Sequence, residues 1–557
     1  MLVQNPILRG FNPDPCFASA HGKYYLATST FQWLPGVALY ESDDLAHWRC
    51  VGGALHDLDL RGIPESAGVW APDLTFDEES GLFWLAYTVC RQIDGIFKDV
   101  SNYVVTAPSI EGPWSEPVFI NASGFDPGIF HEDGRHYVLN PQWDPRPLPR
   151  HHKFNGLVLQ EFLLDQGLVG EPRVVLENAD AVNWLREGPH ILKRDGWYYI
   201  ACAEGGTGRR HRIRMARSRE LWGPYEVCPE PLVCAWCEQT PIRRAGHGNF
   251  VQAADGSWYV CHLCSRYLPS EDGFALVFDE GESCVSPLGR ETAIQRVEWV
   301  DGWPRLAAGG VAPQVEVEVT GAIEHADDAL APGSPGYVYR TAFASDVGLW
   351  RDGWLMPHHI DTEHVRCGEN GLELRGGDSP CSLFDRAALA RRVASHDWRA
   401  EAVFSFGPEH YNQTAGLLLE YDARAFRYLN ITWDEKRGCR VIDVLANDNG
   451  AFDMPLGADA RIEVPAETEF VHLGIEVHGA SVGFTYAFDG CEPSVVLSAA
   501  GEPLVLDASL LSDERIEGWA YTGQMVGVTC VDMWNHMACA HVLSFVYEDL
   551  PADSDGR

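Results

Sequence analysis

A short motif recurs five times in roughly the first 300 residues, and this repeat constrains the fold more than any other feature of the chain. Each copy is a turn glycine followed by aromatic and β-branched residues, and the copies begin at Gly22, Gly81, Gly134, Gly196 and Gly256. The glycines are 59, 53, 62 and 60 residues apart. Three of them follow Asp, which gives the Asp-Gly dipeptide of a tight hairpin. A segment of about 60 residues holds one four-stranded sheet, so the repeat predicts a five-bladed β-propeller rather than a generic sandwich.

One ionisable residue lies upstream of each repeat glycine. Asp14, Asp73 and Asp126 come 8 residues before their glycines, and Glu187 and His247 come 9 residues before theirs. Pro or Gly stands close to each of them, as is typical of junctions between a loop and a strand. If this position begins the innermost strand of each blade, the five side chains point toward the central axis and share one pocket.

A pocket with several carboxyl groups suggests hydrolysis of a glycosidic bond. That reaction needs an acid to protonate the leaving oxygen and a base or nucleophile on the other side of the sugar. Crowding of like charges raises the pKa of one carboxyl, so that it stays protonated near neutral pH. Phe31, Trp33 and Trp70 are candidates for stacking on a sugar ring.

Several motifs, arriving in order, resemble glycoside hydrolase family 43, in particular its two-domain β-xylosidase branch. They cover most of residues 1–305 and comprise Asn12-Pro13-Asp14-Pro15, Thr28-Ser29-Thr30-Phe31, Val69-Trp70-Ala71-Pro72-Asp73, Phe125-Asp126-Pro127, Glu187-Gly188-Pro189-His190, Glu204-Gly205-Gly206-Thr207-Gly208, His247-Gly248 and Leu288-Gly289-Arg290-Glu291-Thr292. The resemblance implies an all-β chain, in which a five-bladed propeller is followed by an antiparallel β-sandwich.

The resemblance also implies an inverting mechanism with three acidic residues. Asp14 would be the general base that activates water, and Glu187 the general acid that protonates the leaving group. Asp126 would tune the pKa of the acid and help to orient it. Inversion predicts that the carboxyl groups of Asp14 and Glu187 stand roughly 6.5–9.5 Å apart, which leaves room for the water.

Four further residues match the substrate-binding positions of the family. Arg290 would donate hydrogen bonds to sugar hydroxyls, although a structural ion pair is the alternative role. Phe31 and Trp70 would form the pocket wall, with core packing as their alternative. His247 matches a central histidine that in some relatives lies near a divalent cation. We therefore expect no required cofactor and no direct metal ligand, but a cation such as calcium in the propeller channel near His247 stays open.

Two features depart from the family pattern. Gln32 stands where relatives usually carry Glu. The segment 209–214 is unusually basic, with arginines at four of its six positions. This cluster either lines the leaving-group side of the pocket or pairs with surface acids, and the second role is favoured.

The C-terminal part predicts a second domain. Residues 306–336 are rich in Ala, Gly, Pro and acids and are interpreted as a linker after a propeller of residues 1–305. Runs such as 415–421, 428–433 and 471–477 indicate strands of a β-sandwich over residues 337–557. By resemblance, this domain packs on the propeller and supplies a loop to the pocket mouth, which the sequence does not identify.

Charge and cysteine content bound the partners and the compartment. The net charge of −38, from 80 acids and 42 bases, disfavours nucleic acid and anionic lipid as partners. No apolar run is long enough to span a membrane, and the N-terminus does not resemble a signal peptide. Cys234 with Cys237 and Cys261 with Cys264 have a zinc-like spacing, but the second pair falls in a predicted strand. Free thiols in the cytoplasm are the expectation for the 16 cysteines.

The leading hypothesis is an exo-acting β-1,4-xylosidase that trims xylose from the non-reducing ends of short xylo-oligosaccharides. An α-L-arabinofuranosidase, or an enzyme with both activities, is the alternative within the same chemistry. A non-catalytic sugar-binding propeller and a sugar phosphorylase are the alternatives from other classes, and both are disfavoured. The expected partner is a small oligosaccharide, and self-association into a homo-oligomer is left open.

Overall fold

The chain forms an all-β protein in which a five-bladed propeller is joined to a β-sandwich. The computed structural model describes residues 1–146, 154–236, 240–269, 284–321, 331–346 and 348–551. In these ranges the helical structure is limited to a 3₁₀ turn at Val182–Trp184. No helix there has the length and apolarity needed to cross a bilayer. The predicted fold class is confirmed.

Each blade is an antiparallel sheet whose first four strands follow one another in space as they do along the chain. Blade 1 comprises Cys16–Ala20, Lys23–Thr28, Gly36–Ser42 and Arg49–Leu55. Blade 2 comprises Gly68–Asp77, Leu82–Gln92, Asp99–Ala107 and Val118–Asn121. Blade 3 comprises Gly128–Glu132, Arg135–Trp143, Phe154–Leu163 and Gly167–Leu176. Blade 4 comprises Arg186–Arg194, Trp197–Glu204, Arg212–Ser218 and Glu226–Val227, with Val233–Cys234 added to its third strand.

Blade 5 closes the ring. Its first strand is split into Ile242–Gly246 and Phe250–Gln252, and these precede Trp258–Arg266, Glu291–Val300 and Trp303–Leu306. Leu268–Pro269 and Cys284–Val285 pair as two short antiparallel strands. The N-terminus fastens this blade to blade 1, because the side chain of Asn5 exchanges hydrogen bonds of 2.8 and 2.9 Å with the backbone of Ile294.

The repeat glycines turn the chain between the first two strands of every blade. All five have positive φ, from 68° at Gly81 and Gly134 to 89° at Gly256. Asp133 and Asp195 also have positive φ, so Asp133-Gly134 and Asp195-Gly196 form two-residue hairpins of the I′ kind, as their sequence predicts. Glycine suits these positions because a side chain is strained there.

The predicted linker contains regular structure. Glu316–Glu318 pairs with Leu2–Gln4, so this stretch returns to the start of the chain. Residues 322–330 of the same stretch lie outside the described ranges.

Two sheets form the sandwich, with the largest apolar cluster of the protein between them. The first runs in the order Val365–Gly368, Gly371–Arg375, Cys539–Asp549, Asp397–Ser405, Val471–His478, Ser481–Phe488 and Ser494–Val495, with Val338–Thr341 and Val505–Asp507 paired at its sides. The second runs in the order Ala451–Asp453, Cys439–Asp448, Ala425–Asp434, Gln413–Asp422, Met525–Asp532, Ala387–Arg392, Trp354–Pro357 and Trp33–Leu34, with Ile462–Glu463 paired to Cys439–Asp448.

The last strand of the second sheet belongs to the propeller segment of the chain. Leu34 pairs with Met356, and Trp33 pairs with Pro357. Trp33 is 1% exposed and does not line the central cavity, so its interpretation as a sugar-stacking residue is wrong. Trp33 belongs instead to a cluster of buried apolar residues that includes Leu355 and Met525 of the sandwich.

Candidate active site

The predicted acidic residues lie around one cavity at the hub of the propeller. Asp14 and Asp126 each stand two residues before the first strand of blades 1 and 3, and Glu187 is the second residue of the first strand of blade 4. His247 lies in the gap of the split strand of blade 5. These four side chains and Arg290 line a cavity of about 410 Å³, which is the size of a small-ligand site.

Unusual backbone conformations place these side chains. Asp14, Asp126 and His247 have positive φ of 53°, 50° and 49°. Such conformations cost on the order of 1–3 kcal/mol each and are concentrated at functional sites. Gly188, beside Glu187, is required for a further reason, since a Cβ atom there would lie 2.5 Å from Cε1 of His247.

Asp14 is held in its ionised form. Its Oδ1 accepts a hydrogen bond of 3.0 Å from Nη1 of Arg290, and its Oδ2 accepts one of 2.7 Å from the Ser29 hydroxyl. Burial raises the pKa of Asp14, but Arg290, His247 and the Ser29 hydroxyl outweigh burial and leave the pKa below its usual value. A carboxylate of this kind can accept a proton from water at neutral pH.

The pKa of Glu187 is shifted in the opposite direction. Burial and the negative charge of Asp14 raise its pKa from 4.5 to about 7. Burial and the charge of Glu187 also raise the pKa of Asp126 well above its usual value. The Oδ2 of Asp126 accepts a hydrogen bond of 3.1 Å from the Gly188 N–H. Within the described part of the chain the Glu187 carboxyl has no hydrogen-bond partner, and its side chain lines the cavity.

Arg290 is held by both domains. Its Nη1 group donates to Asp14 and, at 3.3 Å, to the hydroxyl of Thr207, and its Nη2 group donates to the Tyr521 carbonyl at 3.1 Å. Its guanidinium lies 5.3 and 5.4 Å from the ring centroids of Phe31 and Tyr521. The Arg290 side chain also lines the cavity.

Aromatic rings form the wall of the cavity. The Phe31 ring lies 6.2 Å from Trp70 and 6.1 Å from Tyr521, and the Trp70 ring meets Phe125 edge-on at 5.9 Å. The ammonium of Lys98 lies 5.1–5.9 Å from the ring centroids of four aromatic residues near the cavity, namely Trp70, Phe125, Trp143 and Trp519. Phe31 and Trp70 therefore line the cavity, as predicted, and also pack in the propeller core.

The sandwich domain supplies two of the lining residues, Trp519 and Tyr521. The indole of Trp519 donates a hydrogen bond of 2.6 Å to Asp94, and the Tyr521 N–H donates one of 3.0 Å to the Ser66 hydroxyl. This is the loop that the sequence could not identify. It carries two aromatic residues between Gly518 and Gly523, but it lies in no repeat.

Asp73 lies elsewhere, although its spacing matches the other four residues. It does not line the cavity. Its Oδ1 accepts hydrogen bonds from Nδ1 of His190 at 2.9 Å and from the thiol of Cys16 at 3.1 Å. Its Oδ2 accepts a hydrogen bond of 2.5 Å from the Ile129 N–H, so Asp73 links blade 2 to blades 1, 3 and 4 in the channel.

The channel residues test the expectation of a calcium ion. Cys16, Asp73 and His190 offer one donor atom each, all within 4.8 Å of one another. Calcium binds six to eight oxygen atoms, whereas this group offers one thiol, one imidazole and one carboxylate. His247 lies 3.7 Å from Asp14, and burial lowers its pKa to about 4, so its ring is neutral. These residues do not fit calcium, and we assign it no step.

The basic segment 209–214 is divided between several roles. Arg214 pairs with the buried Glu204 at 3.2 Å. The guanidinium groups of Arg209 and Arg210 lie 4.8 and 4.9 Å from the ring centroid of Trp236. His211 lines the cavity.

Gln32 and the cysteine pairs have structural positions. Gln32 is 1% exposed and accepts a hydrogen bond of 3.2 Å from the Ser66 N–H. Cys261 and Cys264 are buried on the strand Trp258–Arg266. Cys237, the fourth residue of the zinc hypothesis, lies outside the described residues.

A propeller hub that lowers the pKa of one carboxyl and raises the pKa of another, between aromatic walls, has the fold and the acid–base pair of a glycoside hydrolase. The chain belongs to glycosyl hydrolases family 43, whose model matches residues 3–304. The model of the beta xylosidase C-terminal concanavalin A-like domain matches residues 349–548.

Relatives match along the whole chain. The beta-xylosidase of Bacillus subtilis is 36% identical, with 99% of this chain and 100% of the relative covered. The xylosidase/arabinosidase 43B of Humicola insolens is 40% identical, with 99% of each chain covered. The crystal structure of xylan beta-1,4-xylosidase from Bacillus halodurans superposes with a TM-score of 0.88 at 35% identity, covering 98% of this chain and all of that one.

Proposed function

We propose that the protein is an exo-acting β-1,4-xylosidase that releases xylose from the non-reducing ends of short xylo-oligosaccharides with inversion at the anomeric carbon. The observation that carries this proposal is the pair of carboxyls in opposite states at one cavity, Asp14 ionised and Glu187 with a pKa of about 7. The relatives named for xylosidase activity support xylose as the sugar released.

The reaction follows from the two carboxyls. Asp14 takes a proton from a water molecule, and the water oxygen attacks the anomeric carbon of the terminal xylose. Glu187 gives its proton to the glycosidic oxygen as the bond to the anomeric carbon breaks. The shortened sugar leaves with that proton, and the xylose carries the inverted configuration. Burial and the negative charge of Asp14 hold the proton on Glu187 before this transfer. Asp126 helps to orient the acid, because its Oδ2 accepts the N–H of the neighbouring Gly188.

The sandwich loop supports exo action. Trp519 and Tyr521 add a wall to the cavity from outside the propeller, where they meet Asp94 and Ser66. A cavity walled by both domains suits the end of a sugar chain better than its middle.

An α-L-arabinofuranosidase activity is the second candidate, favoured by the name of the Humicola relative, xylosidase/arabinosidase. Nitrophenyl β-xyloside and nitrophenyl α-L-arabinofuranoside, compared at equal enzyme concentration, separate the two. We expect a larger kcat/KM with the xyloside, and a clear preference for the arabinoside would make the second candidate the principal function.

Proton NMR of xylobiose hydrolysis tests the main proposal, because it reports the sugar and its configuration together. The α-anomer of xylose should appear before mutarotation produces the β-anomer. Omitting phosphate should leave the rate unchanged. A first product with the β-configuration would refute inversion, and a lack of turnover on both xylobiose and the arabinoside would refute the enzymatic proposal.

We also propose that the protein works in a reducing compartment such as the cytoplasm. The fifteen cysteines in the described ranges are free thiols, which supports this compartment. Fractionation of the source cells, followed by detection of the protein with an antibody, tests the proposal, and recovery from the medium would refute it.

A further inference from the structure

The arginine that orients the proposed base depends on the sandwich domain. Nη2 of Arg290 donates to the Tyr521 carbonyl at 3.1 Å, while Nη1 donates to Asp14 at 3.0 Å. The Tyr521 ring also covers one side of the guanidinium. A shift of the segment around Tyr521 would therefore move Arg290 relative to Asp14.

That segment is fixed in turn by Tyr421, on the sandwich strand Gln413–Asp422. The Thr522 N–H donates a hydrogen bond of 3.2 Å to the Tyr421 hydroxyl, and the Thr522 hydroxyl donates one of 3.3 Å to the Tyr421 carbonyl. The Tyr421 hydroxyl itself donates a hydrogen bond of 2.7 Å to Oδ1 of Asp513. Tyr421 and Thr522 are both 0% exposed, so water cannot replace these bonds.

Asp513 is anchored to the propeller. Nη1 of Arg244 donates to its Oδ2 at 2.6 Å, and Nη2 of Arg244 pairs with Glu514. Arg244 is 2% exposed and lies on the same strand segment of blade 5 that leads to His247. Its carbonyl contacts Nδ1 of His211 at 3.1 Å. Both His211 and His247 line the cavity, so the chain of contacts starts and ends there.

We propose that Tyr421 is a positioning residue for the reaction: its hydroxyl, held by Asp513, fixes the Tyr521–Thr522 segment and thereby the guanidinium of Arg290 against Asp14. This inference rests on the proposed function, since Asp14 must be the base. It assigns a role in catalysis to a buried hydroxyl of the second domain that does not reach the cavity.

Loss of the hydroxyl breaks two buried hydrogen bonds. In Tyr421→Phe, the Thr522 N–H loses its acceptor and Asp513 loses one of its donors. The segment can recover those bonds only by moving. Arg290 then draws away from Asp14, and the pKa of Asp14 rises toward the value that burial favours. The groups that face Asp14 are Arg290, His247 and His211, which favour the carboxylate, and the carboxyls of Asp126 and Glu187, which oppose it.

The test compares two variants that each lose one buried tyrosine hydroxyl. In Tyr421→Phe we expect kcat/KM for xylobiose to fall about tenfold to about 10²-fold, the upper figure being the effect that a displacement of about 1 Å of a catalytic group can have. The acidic limb of its pH profile should move to higher pH. Tyr428→Phe is the matched control, because among the described residues the Tyr428 hydroxyl bonds only to Thr414, at 3.0 Å, on the neighbouring strand. It should lower the Tm to a similar extent and leave both kcat/KM and the acidic limb unchanged.

Equal pH profiles for the wild type and Tyr421→Phe would overturn the inference, whatever the change in Tm. If Tyr421→Phe does not fold, Ser66→Ala replaces it, because that variant removes the acceptor of the Tyr521 N–H from the propeller side. It should shift the acidic limb in the same direction, and an unchanged limb would overturn the inference. Failure of the proposed function is distinguishable, since the wild type itself would then not hydrolyse xylobiose.

Discussion

Replacing Glu187 by Gln tests the assignment of the general acid. The change keeps the size of the side chain and removes its acidic proton. Burial and the charge of Asp14 place the pKa of Glu187 at about 7, against a usual value of 4.5. This increase of about 2.5 in the pKa means that ionisation of Glu187 costs roughly 3 kcal/mol more than ionisation of a glutamate in water.

The sign of the pH dependence follows from the role of the group. An acid with a raised pKa is protonated below that pKa, so activity should be full below about pH 7 and fall about tenfold for each pH unit above it. The low pKa of Asp14 keeps the base ionised across the same range. Without its acid, the Glu187→Gln variant should lose a factor of about 10²–10⁴ in kcat/KM for xylobiose. It should lose much less with a nitrophenyl xyloside, whose leaving group needs little protonation.

The assay is kcat/KM against pH, from 4 to about 9, with xylobiose and with nitrophenyl xyloside. With the nitrophenyl substrate, kcat/KM of Glu187→Gln should no longer fall as the pH rises above about 7. Glu161→Gln is the control, since Glu161 pairs with Arg135 on the surface of blade 3, away from the cavity. A Glu187→Gln enzyme that keeps both the basic limb and its activity on xylobiose would refute the assignment of the acid.

Three further predictions concern the base, the domain contact and the metal. Arg290→Met should move the acidic limb to higher pH and lower kcat/KM by about two orders of magnitude, because Asp14 loses its charged partner; an unmoved limb would contradict this role. Gly289→Ala should lower the free energy of unfolding in urea by about 1–3 kcal/mol more than Gly309→Ala. Both glycines have positive φ, but of the two only Gly289 would place a Cβ atom 1.9 Å from the Thr522 carbonyl oxygen. Equal losses of stability would show that the domain contact relaxes around the added methyl group. Dialysis against EDTA should leave the kcat on xylobiose unchanged, since the channel donors do not fit calcium, and a loss that calcium restores would contradict this.

The propeller could be predicted because its signals are local and repeated. A repeat glycine with positive φ, such as Gly134 or Gly196, lies in the turn between the first two strands of every blade. The spacing to the first strand then brings Asp14, Asp126 and Glu187 to the hub. The same spacing also predicted that Asp73 shares this cavity, and that prediction was wrong. Its carboxylate accepts hydrogen bonds from His190 and Cys16 of other blades instead. The spacing along the chain predicts where in its blade a residue lies. Whether its side chain lines the cavity or bonds to other blades depends on the residues of those blades, which the spacing does not show.

The residues of the sandwich loop could not be predicted for a physical reason. Trp519 and Tyr521 reach the cavity only because the two domains pack closely around Gly289 and Gly523. No local pattern encodes that packing. Trp33 illustrates the reverse error, since an aromatic residue two positions from Phe31 was drawn into the contact with the sandwich instead of the cavity.

The strand Trp33–Leu34 belongs to the propeller segment of the chain but is the edge strand of a sandwich sheet. If the two domains were separated, the sandwich would expose the unpaired edge strand Trp354–Pro357. The propeller would lose the part of its cavity wall that Trp519 and Tyr521 form. The two domains therefore form one structural unit. In a chimaera, a sandwich domain taken from a relative must have an edge strand that pairs with Trp33–Leu34.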